Sequence, residues 1–354
     1  MLPTPVELSL EITPDSRLDV IDVWRHTARA DVLQEFPHAL YCSFHTTAGF
    51  LDQSLAARLY HSNGGIRPYI HAFQRLFPEG AGYRHDELDL REELSDAQRG
   101  VEPRNADAHL AFIAAGLRTC VKYANRPGEP VYFVDLDGVD GPRTRRRQTR
   151  ILAFNAEEIV ARERVAISVS SHPVDSVNLK APGTGLYDRL QELIARHGIT
   201  KGRIRLSLGT REHQAGLTIN EYETLLMRHD LIDVIRDPMR FVAEQGRYLL
   251  SDPWAIPART IDYAKYDFVR VFNGICDALH LSESFVETVA ARAIGFPARR
   301  FLKMKRCVSL LVSDLDTPGC GTIVEGRYQC PILVQWRKCM ARQRMIDVTL
   351  TRLT

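Results

Sequence analysis

Apolar and polar positions alternate in recognisable periods along this chain. Leu186 to His197 (LYDRLQELIARH) places Leu186, Leu190, Leu193 and Ile194 on one helical face, and Gly198 stands where a C-cap belongs. Arg17 to Arg29 has apolar residues at 18, 20, 21, 23 and 24, a pattern compatible with a helix. The alternating RIRLSL (203–208) and the short run ALYCSF (39–44) predict strands. Each strand runs into a polar loop ending in Ala-Gly. The loops are His45-Thr46-Thr47-Ala48-Gly49 and Glu212-His213-Gln214-Ala215-Gly216.

The same order therefore occurs twice. LAFIAAG ends at Gly116 and TVAARAIG at Gly295, and each half closes on an Arg-rich stretch feeding a strand, RTRRRQTRILAF and ARQRMIDVTLTRL. The offset between halves grows from 167 at the Ala-Gly pair to 179 at the glycine, so the second half carries insertions. A Ser-, Pro- and Gly-rich stretch, SSHPVDSVNLKAPGTG, reads as a linker. The expected organisation is a first copy over 1–160, a linker over 161–180 and a second copy over 181–354.

Composition narrows the class. At ~150 residues per domain, 354 residues suit about two domains. Hydrophobic residues at 45% and charged residues at 25% exclude global disorder. Lys plus Arg (46) nearly balances Asp plus Glu (44), far from the basic excess of a nucleic-acid binder. No apolar run approaches the ~18 residues of a membrane span, and the first residues lack a secretory signal's apolar core. Seven cysteines without a CxxC suit scattered reduced thiols in a cytoplasm.

Several short motifs occur in a fixed order. The first half holds His45-Thr46-Thr47-Ala48, Tyr83-Arg84-His85-Asp86, Asn105-Ala106-Asp107-Ala108-His109-Leu110 and Asp140-Gly141-Pro142-Arg143. The second holds Leu217-Thr218-Ile219-Asn220-Glu221, then Arg228 and Asp230, then Gly321-x4-Gly326-Arg327-Tyr328-Gln329. In this order the chain resembles a tandem duplicate of the YjbQ-like family, whose members are named secondary thiamine-phosphate synthases. The resemblance implies an α+β fold: two tandem units, each a two-sheet β-sandwich with packed helices. It also implies a homo-oligomer of trimer-like character. The departures are complementary. The first copy has Gln53-Ser54 and Pro127-Gly128-Glu129 at the amide positions, whereas the second has Glu212 where the family has its histidine, with His213 one residue out of register. Thr288 falls at the position of His109. One composite site is the natural expectation.

Three histidines on separate segments suit a facial metal site with one open position, and zinc is the default ion. The resemblance assigns His45, His85 and His109 to that role, although their spacing has no short-range ligand signature; direct phosphate binding by histidine with Thr46 and Thr47 is the alternative. Glu221 is the expected general base, and Asp86, with Asp107, orients an imidazole. Asn105, Arg143, Asn220, Arg327 and Gln329 are expected to hold substrate, Arg143 through paired hydrogen bonds to a phosphate. The expected activity is a metal-dependent transferase or hydrolase on a small phosphorylated or anionic metabolite; the family label suggests joining a pyrimidine pyrophosphate to a thiazole phosphate. A non-catalytic binding or scaffold protein is the rival. Two strings, VDLDG (134–138) and SDLDT (313–317), resemble the Asp-x-Asp of haloacid-dehalogenase phosphatases, but they sit late in each copy and read as Asp-rich turns after buried strands.

Overall fold

The computed structural model describes residues 4–27, 30–60, 65–126, 128–236 and 304–354. The chain forms two compact units. One, the sandwich unit, comprises 1–53, 116–222 and 304–354; the other, the insert unit, comprises 54–115 and 223–303.

Alternation builds the sandwich unit. A four-stranded antiparallel sheet runs in the order Val6–Ile12, Arg147–Phe154, His38–Ser43, Cys120–Ala124. Ala39 and Tyr41 point to one side, where they pack with Phe50 and Phe133 of a three-stranded sheet (Asp19–Asp22, Tyr132–Asp135, Ala48–Phe50). Leu40 and Cys42 point to the other side and pack with Leu311 and Leu353.

Those two residues belong to a second pair of sheets with the same topology. Its larger sheet runs Glu157–Ser168, Gln343–Leu353, Gly202–Leu208, Cys307–Ser313, with Thr322–Val324 added at the edge. Its smaller sheet runs Asp175–Asn178, Cys330–Gln335, Ala215–Asn220. Strand for strand, the order of the first copy is repeated. The helix Leu186–Arg196 buries Leu186, Leu190, Leu193 and Ile194, as its pattern predicts, and Gly198 ends it at φ 56°.

Charge also joins the two large sheets. Glu7 is almost fully buried; it accepts from Ser313 Oγ at 2.6 Å, pairs with Arg150 at 3.4 Å and binds Lys201. Arg150 also holds Asp316 at 2.7 and 2.9 Å.

In the insert unit, Ile66–Leu76 buries Tyr69, Ile70, Phe73 and Leu76 on one stripe. Ala106–Ala114 is buried all round, and Tyr69 donates to the Ala115 carbonyl at 2.8 Å. The helices Gln53–Tyr60 and Asp96–Arg99, the turns Arg84–Asp86 and Leu88–Leu90 and the segments Leu226–Asp230 and Leu231–Arg236 lie here too.

Three expectations change. Residues 161–180 are not a linker: the strand Glu157–Ser168 fills the first part and Asp175–Asn178 the second, both paired into sheets. Of the stretch 17–29, the described residues 17–27 form no α-helix. Asp19–Asp22 pairs with Tyr132–Asp135, and the Asp22 carboxylate then caps a short 3-10 turn by accepting from Trp24 N–H. A short apolar run with β-branched Val20 and Ile21 is ambiguous by period, and pairing decides it. Third, compactness does not follow the two copies, because each contributes to both units. Thr288 and the segment 288–295 lie outside the described residues.

Candidate functional site

His45 follows the strand His38–Ser43 in the sandwich unit and is half-buried. Its Nε2 accepts the main-chain N–H of Gln148 at 2.8 Å, while Nδ1 faces Arg147 Nη1 at 3.5 Å. An Nε2 that accepts puts the neutral ring's proton on Nδ1. Two donors therefore face one another. Burial, with the positive charges of Arg147 and Arg145 nearby, pushes the imidazole down to about 3, so the ring is neutral at pH 7.

Arg147 is itself buried. It donates to Asp135 from Nε at 2.6 Å and from Nη2 at 2.8 Å, and it also binds Asp137. Thr47 Oγ1 donates to Asp137 at 2.5 Å, and Arg145 reaches the same carboxylate at 3.2 Å. The Asp-x-Asp string at 135–137 is thus the acceptor of a buried arginine network. The other such string in the sequence, Asp314 and Asp316, pairs with Lys201 and Arg150.

The loop carrying His45 is tied down by the second copy. Gln329 Nε2 donates to the carbonyls of Ser43 at 2.8 Å and His45 at 2.9 Å, while its Oε1 accepts from Gly326 N–H at 2.9 Å. Asn220 Nδ2 donates to the Thr46 carbonyl at 3.0 Å, and its Oδ1 accepts from Glu221 N–H at 2.8 Å. Gly326 lies so close that a Cβ there would stand 1.9 Å from the Phe44 carbonyl oxygen. Asn220 and Gln329 were expected to hold substrate; their amides instead hold main chain, which corrects that role.

The second copy shows what replaces a histidine. Strand pairing makes Arg344 the equivalent of Arg147, Met345 of Gln148 and Gln335 of Asp135. Glu212 takes the place of His45: Oε1 accepts from Met345 N–H at 3.0 Å and Oε2 pairs with Arg344 at 2.8 Å. Here Arg306 binds the loop carbonyls of Leu208, Gly209 and Glu212. Its equivalent in the first copy is Thr119, too short to do so, and there Gln329 makes the ties. An acid and an arginine thus satisfy this loop within its own copy.

The insert unit holds the second cluster. His85 is fully buried, with Nδ1 3.1 Å from Glu223 Oε2 and Nε2 3.3 Å from Asn105 Oδ1. The His109 ring lies 5.2 Å away, edge to face. Glu223 also accepts the N–H groups of Leu225 and Leu226, both at 2.7 Å. Burial raises its carboxyl, but the bonds from His85 and these amides outweigh it and hold Glu223 below the ordinary range. Asp230 accepts the N–H groups of Arg84 at 2.9 Å and His85 at 3.0 Å; burial nevertheless pushes it up to about 6.

Several expected residues fall elsewhere. The carboxylate beside His85 is Glu223, two residues past the expected base Glu221, which is half-buried in the sandwich unit. Asp86 accepts from Ala106 N–H at 3.0 Å and so caps the helix Ala106–Ala114, a structural use of the acid expected to be catalytic. Arg143 is exposed in a short hairpin, and Arg327 is exposed and stacks on Tyr328 at 5.3 Å. Sequence reading missed Glu223, Asp135 and Arg147. A buried-strand Asp-x-Asp followed by an Arg on the next long strand is the signal that could have found the latter two.

The donor set fits a three-histidine metal poorly. Both nitrogens of His85 face oxygens, His45 uses Nε2 on an amide, and its Nδ1 faces a guanidinium cation. Among the described residues, no three His, Cys, Asp or Glu side chains converge as a metal would require. Nor, among them, is any helix long and apolar enough to cross a membrane.

No family model matches the chain. Over 144 residues, 39% of this chain, it is 26% identical to a UPF0047 protein of Archaeoglobus fulgidus, and the match spans 95% of that protein. Among solved structures it is similar to a YbjQ-like protein of unknown function from Sulfolobus solfataricus P2, with 14% identity and a TM-score of 0.28, over 56% of this chain and 99% of that one. A hypothetical protein from Aeropyrum pernix K1 matches at 12% identity and a TM-score of 0.27, over 53% and 96%.

Proposed function

We propose that this chain, a YjbQ-like protein similar to the UPF0047 proteins, is an enzyme whose sandwich unit binds a small anionic, phosphorylated metabolite at the His45 loop. One observation carries the reading. His45 Nδ1–H and Arg147 Nη1 are donors 3.5 Å apart that share no acceptor among the described residues, and a phosphate or carboxylate oxygen completes that pair. The guanidinium gives charge, and the neutral imidazole gives direction.

In the insert unit, Glu223 fixes the His85 ring through Nδ1, and Nε2, which faces Asn105 Oδ1, is the atom at which a proton is held or moved. That arrangement supports proton transfer in a transferase or hydrolase. No step runs through a metal ion, because the donor set does not fit one. The complete burial of His85 favours the second reading, a non-catalytic binding protein in which the His85–Glu223 pair is structural.

Inorganic phosphate is the direct probe. Equilibrium dialysis of the full chain should show phosphate binding that weakens at least tenfold in His45→Leu, a change of ~1.4 kcal/mol. Equal affinity in both proteins sinks the site. A panel of phosphomonoesters and diphosphates then separates the readings. Turnover lost in His85→Asn with phosphate binding kept supports the enzyme; binding without turnover by the unaltered chain supports the rival.

A further inference from the structure

Two thiols take no part in that function. Cys42 and Cys120 are direct partners on the antiparallel strands His38–Ser43 and Cys120–Ala124, with Sγ atoms 3.2 Å apart, and both are buried. Direct partners in such a pair stand about 4.5–5.5 Å apart at Cα, inside the ~4.4–6.8 Å span that a disulfide bridges. The second copy has Ser207 and Cys307 at the equivalent positions, so only the first copy carries the pair.

A small recess is lined by one of these two residues. Cys120 lines it together with Thr119, Ile219, Lys305, Val308 and Ser309, and its volume of ≈ 10 Å³ holds about one water-sized molecule. Cys42 does not line it. Burial, with the bond to Cys120, pushes the Cys42 thiol well up and keeps its proton on. Burial, with Arg118 nearby, pushes the Lys305 ammonium well down.

We propose that Cys42 and Cys120 form an oxidation site, at which hydrogen peroxide converts the pair to a cross-strand disulfide. Cys120 sulfur attacks the peroxide: an S–O bond forms, the O–O bond breaks, and the departing oxygen leaves as water with the thiol proton. Cys42 sulfur then attacks the sulfenic sulfur: the S–S bond forms, the S–O bond breaks, and a second water leaves with the Cys42 proton. Two thiols are oxidised by two electrons while hydrogen peroxide becomes two waters. The bond closes the chain between 42 and 120, the span that carries His85, Asn105 and His109.

The test treats the full chain with hydrogen peroxide, alkylates remaining thiols in denaturant and maps the peptides without reductant. A Cys42–Cys120 linked peptide is expected. In Cys42→Ser, dimedone should label Cys120 as its sulfenic acid; in Cys120→Ser, Cys42 should remain an unlabelled thiol. Recovery of both wild-type residues as alkylated thiols while the exposed Cys320 is oxidised overturns the proposal. So does dimedone on Cys42 in Cys120→Ser. The wild-type map decides by itself should a serine variant not fold.

Discussion

Gln329 donates its side-chain amide to the main-chain carbonyl of His45 across 2.9 Å of space and 284 residues of chain. The second copy thereby grips the loop on which the first copy presents its histidine. Gln329→Leu removes this bond and the one to Ser43 and leaves two carbonyls to find water. We expect a loss of about 1–3 kcal/mol in stability, faster amide exchange over residues 44–48 and weaker phosphate binding. Unchanged exchange there contradicts the tie.

Gly326→Ala tests the same junction by steric means. A Cβ 1.9 Å from the Phe44 oxygen forces the backbones apart, and overpacking of this kind costs about 1–3 kcal/mol. The expected signature is a lower denaturation midpoint with the secondary structure intact, by circular dichroism. A variant as stable as the parent refutes the close approach.

The pH dependence at His45 has a definite sign. Its imidazole is held down at about 3 in the folded chain, below its ordinary 6.5, so folding favours the neutral ring. That contribution is complete above ~6.5 and is lost as pH falls toward 3. Relative to His45→Gln, the parent should therefore lose stability between pH 6.5 and 3. Parallel denaturant curves for the two proteins across that range are the contrary result.

Asp230 runs the opposite way. Its carboxyl is raised to about 6, above its ordinary 3.8, so its contribution is complete below ~3.8 and is lost as pH rises through 6. Asp230→Asn cannot ionise but gives up one carboxylate acceptor for the Arg84 and His85 amides. The stability difference between parent and variant should shift toward the variant from pH 4 to 7. A difference independent of pH contradicts the assignment.

Glu223 and Glu221 make a contrast two residues apart. Glu223→Ala strips a buried partner from His85 and two amide bonds from the chain, an expected loss of about 3–5 kcal/mol. Glu221→Ala, at a half-buried position, should cost less than about 1 kcal/mol. Denaturant unfolding of both variants checks the order, and equal losses remove the special place of Glu223.

Much of this protein was legible along the chain. The helix 186–196, the strands at 39–43 and 203–208, and the duplication itself follow from local period and order, because a side chain's face depends on neighbours one to four residues away. The complementary losses were visible too, Glu212 standing for a histidine and Gln53 and Glu129 for the amides. Folding gave them meaning: Gln53 and Glu129 bond to each other at 3.1 Å, while Asn220 and Gln329 hold the His45 loop.

Tertiary structure alone decided the rest. Whether residues 161–180 were linker or strand depended on partners more than 150 residues away. Which acid met His85 depended on where the turn after Tyr222 placed Glu223, a matter of one long-range hydrogen bond that no period records. The chain's own order specified which residue types would be present in each copy. Contacts between distant segments chose among them, because a polar group is assigned a role only when burial removes water and leaves it one partner.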